Sequence, residues 1–120
     1  MKSEQAVKLF GIKNCDTVKK ARRWLDGHQL EYQFHDLRAD GLAPATIHRW
    51  LTRVSAADLV NRRSTTWKAL DPDTRNNLDD RQVPELLLAH PTLIKRPVLE
   101  ADGRLLVGFS APTYQAFFDL

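Results

Sequence analysis

Two hydrophobic periods alternate near the start of the chain, and this alternation restricts the fold more than any other feature. Val7-Lys8-Leu9-Phe10 is a short apolar run closed by Gly11, which predicts a strand. Val18, Ala21 and Leu25 then recur at helical spacing, with Trp24 beside them. Leu30, Tyr32 and Phe34 alternate with Glu31, Gln33 and His35, the period-two pattern of a second strand. A strand–helix–strand unit with a crossover of this length favours parallel pairing of its two strands. Asn14 or Asp16 can cap the helix start, and Gly27 can end it.

From about residue 44 to residue 90 the pattern becomes helical, with no convincing strand. Ile47, Trp50, Leu51 and Val54 form one helical face, and Ser55 opens a short second helix through Val60. Asp71-Pro72 and Asp79-Asp80 followed by Val83-Pro84 are two further helix entries, the second running on to His90. Sheet signals then return. Pro97-Val98-Leu99-Glu100 and Arg104-Leu105-Leu106-Val107 flank Ala101-Asp102-Gly103, a turn sequence for a tight antiparallel hairpin. Ser110-Ala111-Pro112 starts a terminal helix whose packing face is Tyr114, Phe117 and Phe118. The predicted order is β-α-β, a helical insert at about 44–90, then β-β-α: an α/β fold on a mixed sheet. A chain of 120 residues accommodates this as one domain, 1–120.

The single cysteine, Cys15, falls between the first strand and the first helix. Unpaired N–H groups and the dipole at a helix start stabilise an anion, and a thiolate is such an anion. Lys13 and Lys19 add positive charge nearby, and the neighbours Asn14 and Asp16 are polar. A buried small hydrophobe is the commoner fate of a free cysteine. The polar surroundings and the position ahead of Val18 favour a reactive thiol instead. Val18 stands where a Cys-x-x-Cys motif would place its second thiol, so any catalytic disulfide must be mixed, with glutathione or a partner protein.

Composition excludes several classes. The net charge of +3 is spread among residues of both signs, which suits a local anion site rather than a nucleic-acid track. His28, His35, His48 and His90 show no metal-ligand spacing with Cys15, so no metal site is expected. No tightly bound cofactor is expected, since no Gly-rich phosphate loop or dinucleotide fingerprint occurs. A lone cysteine and an N-terminus without a signal-like apolar stretch make the cytoplasm the expected location, with no membrane partner. Trp24, Trp50 and Trp67 are expected to pack rather than to bind a cofactor.

Residues 10–25, around Lys13-Asn14-Cys15-Asp16-Thr17, join Asn61-Arg62-Arg63-Ser64-Thr65-Thr66-Trp67 and Leu93-Ile94-Lys95-Arg96-Pro97 in one resemblance. Together they closely resemble the Spx/YffB branch of the arsenate reductase (ArsC) family, from Val7 to Leu120. The resemblance implies a thioredoxin-like fold interrupted by a helical insert. It implies that Cys15 is the nucleophile, that Arg96 faces it, and that Pro97 is cis. Arg63 matches the arginine of the insert, with Arg62 as the substitute. Two guanidinium groups beside a thiolate would hold an oxyanion or a glutathione carboxylate.

Three positions depart from the family pattern. Gly11 stands where arsenate reductases carry a histidine, Gly108 where they carry a third arginine, and Val18 removes the paired-cysteine switch of the Spx regulators. The implied activity is a glutathione-dependent monothiol reductase acting on an oxidised small-molecule or protein thiol. The alternatives are a non-enzymatic regulator that binds RNA polymerase in the manner of Spx, and an arsenate reductase.

Overall fold

The computed structural model describes residues 7–79 and 81–120. Asp80, one of the acids expected at a helix entry, lies outside the described residues, as do the polar residues 1–6. The chain forms two compact units, one from the chain up to Asp40 together with Arg96–Leu120, the other from Gly41–Lys95.

In the first unit, strands β1 (Val7–Gly11), β2 (Gln33–Asp36), β3 (Val98–Ala101) and β4 (Arg104–Val107) form a mixed sheet in the order β2-β1-β3-β4. β1 pairs parallel with β2 and antiparallel with β3, which pairs antiparallel with β4. The register aligns Phe34, Leu9, Leu99 and Leu106 in one row across all four strands. Side chains in such a row share a face of the sheet. Helix α1 (Asp16–Gly27) contributes Ala21, Trp24 and Leu25 to the cluster on that face, and the terminal helix contributes Tyr114, Phe117 and Phe118. Leu9, Leu25 and Leu99 are fully buried there. Each is worth about 2–5 kcal/mol against alanine.

The start of α1 differs from expectation. Cys15 is itself the N-cap residue, in extended conformation, and its side chain makes no cap bond. Asp16 is the first helical residue rather than the cap, where its charge complements the dipole. Gly27 ends the helix, as expected, and the left-handed turn follows at Gln29, at φ 57°. Leu30 N–H donates to Leu25 C=O at 3.0 Å, and Gln29 N–H to Asp26 C=O at 3.0 Å, closing the last carbonyls. β2 therefore starts only at Gln33. Leu30 and Tyr32, which read as strand, precede it, yet both still pack against the core. Tyr32 is held by the Arg22 Nε–H at 3.0 Å.

The hairpin turns on Asp102 (φ 54°) and Gly103 (φ 74°), with Ala101 paired to Arg104. Two consecutive positive φ values are the signature of a two-residue turn that matches strand twist. Ser110 caps the terminal helix, accepting from Thr113 N–H at 3.2 Å.

The second unit carries α2 (Pro44–Leu51), α3 (Ala56–Leu59), α4 (Thr65–Ala69), α5 (Pro72–Asn76) and α6 (Val83–Ala89). The terminal helix of the first unit, Ala111–Phe117, is then α7. α2 packs on α6, and Ile47, Trp50, Leu59, Val83, Leu87 and Leu93 are fully buried. Ser55 and Asp71 cap α3 and α5 through Asp58 N–H and Thr74 N–H. Asp79 accepts from Arg81 N–H and Gln82 N–H, both at 3.0 Å, in the turn before α6. α4 carries no periodic signal; Ser64 caps it, and Thr66 Oγ1 bonds Thr92 Oγ1 at 2.9 Å. Among its described residues the unit contains a single isolated bridge, Val60 with Ile94.

Candidate functional site

The strand directions gather four chain segments at one end of the sheet. β1 and β2 finish there, at Gly11 and Asp36, which are register partners. β3 starts there, because Val98 lies opposite Phe10, and β4 ends there, because Val107 lies opposite Val98. The loop from β1 to Cys15 and the Arg96–Pro97 peptide both belong to this end.

Cys15 is half-buried. Its N–H donates to Ile12 C=O at 3.1 Å, and its C=O accepts from Lys19 N–H at 3.0 Å. These two bonds fix the cysteine backbone between the tight loop and the first helical turn. Lys13, Asn14 and Lys19 are exposed around it.

Arg96–Pro97 is a cis peptide bond, as the family resemblance implies. Pro97 is buried, and its C=O accepts from Gly108 N–H at 2.8 Å. Gly108 has φ 86°, a conformation that an arginine would adopt only at a cost, so the departure at this position has a backbone reason. Arg96 is half-buried, and its Nε and Nη1 are buried without a hydrogen-bond partner in the protein. Buried donors of a cation left without a partner are uncommon and call for an acceptor.

Arg63 belongs to the other unit. Its side chain is exposed, and its backbone N–H donates to Asn61 Oδ1 at 3.0 Å. Arg62 has its guanidinium 5.6 Å from the Trp67 ring centroid, a cation–π contact. Of the predicted residues, then, Cys15, Lys13, Asn14, Lys19, Arg96 and Pro97 share the first unit, and Arg63 does not.

One residue at this end has no counterpart among the sequence candidates. Asp36 is the one buried charged side chain among the described residues, with 6% of its surface exposed. Its Oδ1 accepts from Arg38 N–H at 2.8 Å and Ala39 N–H at 3.0 Å. The Ala39 N–H is the strongest influence holding this carboxyl below its ordinary value. The N–H groups of Arg38 and Lys13 and the Lys13 charge act in the same direction, against the opposing cost of burial. The signal available in the sequence is an acid at the end of a strand beside the cysteine loop.

The histidines are placed separately. His28 lies 4.1 Å from the Trp24 ring and His35 5.0 Å from the Phe10 ring, centroid to centroid. Among the described residues no group of three or more His, Cys, Asp or Glu is arranged to hold a metal ion. Among the same residues no helix is long and apolar enough to cross a membrane.

A mixed four-stranded sheet built as β-α-β and β-β-α, with a cysteine at the start of its first helix, defines a thioredoxin-like α/β protein. The chain belongs to the ArsC family, whose model matches residues 10–117. It is 46% identical over 112 residues to an uncharacterized protein of Haemophilus influenzae, covering 93% of this chain and 98% of that one. It is 28% identical to the global transcriptional regulator Spx of Streptococcus mutans, covering 92% of this chain and 82% of that one. The solved structure of the YFFB protein superposes with a TM-score of 0.88 at 46% identity, covering 92% of this chain and 97% of that one.

Proposed function

We propose that this chain is a glutathione-dependent monothiol reductase of a reducing, cytoplasmic setting, with Cys15 as its nucleophile. The observation that carries this reading is the presence in one unit of a half-buried helix-start cysteine, its side chain not spent on a cap, and of Arg96, whose Nε and Nη1 are buried without a hydrogen-bond partner.

In the proposed cycle the Cys15 thiolate attacks the glutathionyl sulfur of a glutathione mixed disulfide. The substrate S–S bond breaks, and the substrate sulfur leaves as a thiolate that takes up a proton. Cys15 now carries glutathione. A second glutathione thiolate attacks the glutathionyl sulfur of that adduct and regenerates the Cys15 thiolate, releasing oxidised glutathione. The substrate disulfide gains two electrons, supplied by the two glutathione sulfurs. Arg96 offers its guanidinium to the anionic ligand. Lys13, Lys19 and Asn14 line the approach to the thiol. The Pro97 backbone positions an extended, peptide-like ligand.

The test is mass spectrometry of the intact protein after exposure to oxidised glutathione, followed by turnover with reduced glutathione and a glutathionylated substrate. A single glutathionyl adduct on Cys15 and turnover abolished in Cys15→Ser are expected. Full turnover in Cys15→Ser would defeat the mechanism.

The 28% identity to Spx across 92% of the chain supports a second reading, a regulator that binds RNA polymerase. Capture of purified RNA polymerase that survives Cys15→Ser, together with absence of glutathione-linked turnover, favours it.

A further inference from the structure

We propose that the hollow between the end of α1 and the start of β2 is a binding site for a short zwitterionic peptide, whose carboxylate meets Arg22 and whose ammonium meets Asp26 and Glu31. The site is separate from the cysteine. At about 1.5 Å of rise per residue, Asp26 lies about 16 Å along α1 from Cys15, so the proposal does not depend on the role of the thiol.

The hollow measures about 680 Å³, within the range of sites that take small ligands, and Arg22, Asp26, Glu31, Tyr32 and Phe34 line it. Its cation is already oriented. Arg22 Nε–H donates to the Tyr32 hydroxyl at 3.0 Å, and the guanidinium carbon lies 4.2 Å from the Phe34 ring centroid. These contacts occupy one edge and one face of the guanidinium plane. Among the described residues its Nη1–Nη2 edge makes no hydrogen bond or ion pair. A guanidinium held flat with that edge open is shaped for two parallel bonds to a carboxylate. The long side chain is ordered before any ligand arrives, which favours binding.

The acids supply the other half of the argument. Asp26 stands four residues after Arg22, a spacing at which opposite charges on a helix can pair. Among the described residues, however, neither Asp26 nor Glu31 forms an ion pair with Arg22. An arginine that served only to cover Phe34 would be free to turn to Asp26. Asp26 also sits in the last turn of α1, where the helix dipole disfavours an acid, and no base in that turn offsets it. The same dipole favours a cation beside Asp26. The hollow therefore holds one guanidinium edge and two carboxylates that do not neutralise each other. A ligand with a charge of each sign completes both. Inorganic phosphate would meet Arg22 but also two carboxylates, and a simple amine would leave the arginine edge open. The Tyr32 and Phe34 rings give apolar contact between the two ends. The volume suits a peptide of about two or three residues.

The test is an NMR titration of the backbone amides of the full chain with trialanine, N-acetyl-trialanine, trialanine amide and inorganic phosphate. Saturable shifts at Arg22, Tyr32 and Phe34 with a Kd of about 1 mM or tighter are expected for trialanine. Blocking either end should weaken binding about tenfold or more, the value of a lost charge-assisted bond, and phosphate should cause no saturable shift there. Arg22→Lys keeps the charge but not the two-pronged edge, so it should weaken trialanine and leave trialanine amide unchanged. Asp26→Asn combined with Glu31→Gln should weaken trialanine and leave N-acetyl-trialanine unchanged. Both of those acids are exposed, so this variant decides the matter should Arg22→Lys fail to fold. No saturable shift with trialanine, shifts centred on Cys15 instead, or equal binding of the free and blocked peptides would overturn the proposal.

Discussion

A carbon placed on Gly11 would stand 2.7 Å from Cγ2 of Val18 and 3.0 Å from Cγ1, closer than packed side chains approach. The end of β1 and the first turn of α1 therefore meet backbone to side chain. Two of the departures from the family pattern, the glycine in place of a histidine and the valine in place of a second cysteine, are in contact. They form one packing arrangement. Val18 is fully buried and leaves no room at position 11 for any side chain.

The first prediction follows from this contact. Gly11→Ala should destabilise the protein by about 1–3 kcal/mol, the usual cost of overpacking a filled site. Val18→Ala alone should cost about 1.5 kcal/mol for two lost methyl groups. The double variant should be more stable than the sum of the two, with a coupling of about 0.5–3 kcal/mol, measured by urea denaturation. Strict additivity would show that the helix shifts away instead.

Arg96→Ala should slow the reaction of Cys15 with oxidised glutathione, an anion, by about 10–100-fold, the value of a lost charge-assisted bond. Its effect on alkylation by neutral iodoacetamide should be several times smaller. Stopped-flow or timed mass spectrometry with both reagents gives the comparison. Equal slowing of both would mean that Arg96 acts on the thiol rather than on the ligand.

Asp36 links stability to pH. Its folded carboxyl titrates below its ordinary value of 3.8, so the native state releases this proton more readily than the unfolded chain. The stabilisation is complete above 3.8 and is lost as pH falls through the folded value. Wild type and Asp36→Asn should differ most in urea midpoint near pH 6, and the gap should close below pH 4. A gap independent of pH would show that the charge is not the source.

Tyr114 gives the opposite case. Its ring is fully buried, and its hydroxyl has no hydrogen-bond partner in the protein. Burial pushes the phenol well above its ordinary value of 10.0. The native state holds this proton more tightly, so its stabilisation is present below pH 10 and declines as pH rises beyond it. Tyr114→Phe should be neutral or stabilising by about 0.5–2 kcal/mol at pH 7, since it removes an unsatisfied buried group. It should also blunt alkaline unfolding. A loss of stability at pH 7 would mean that the hydroxyl has found a partner.

The parts of the fold that are legible in the sequence are those specified locally. Asp102-Gly103 announces its turn because both positions need positive φ. Ser55, Asp71 and Ser110 announce helices because their side-chain oxygens take N–H groups three residues on. Cys15 is placed at the helix start by the change from strand period to helix period. The N-cap itself is not legible, because the cysteine occupies it with no side-chain bond to advertise the fact. Helix α4 lacks periodicity and depends on a bond from Thr66 to Thr92, far along the chain. Asp36 escapes for a related reason. Its Oδ1 takes N–H groups only two and three residues on, at Arg38 and Ala39, and its burial at the end of the parallel strand pair is visible only in three dimensions.

The strand order has a consequence for synthesis on the ribosome. β1 is the innermost strand reached first, yet one of its two neighbours is β3, where Phe10 meets Val98 and Val7 meets Ala101. All of Gly41–Lys95 must be translated before that pairing can form. Until then β1 has only β2 beside it, and its other side is an unpaired edge on a nascent chain. Non-local pairing of this kind is slow, and exposed edges invite aggregation. Compaction of the helical segment while the last strands are still inside the exit tunnel would shorten the loop that remains to be closed. Slowing translation beyond Val107, once the last strands have been made, should therefore raise the yield of folded protein, and a destabilised insert should lower it.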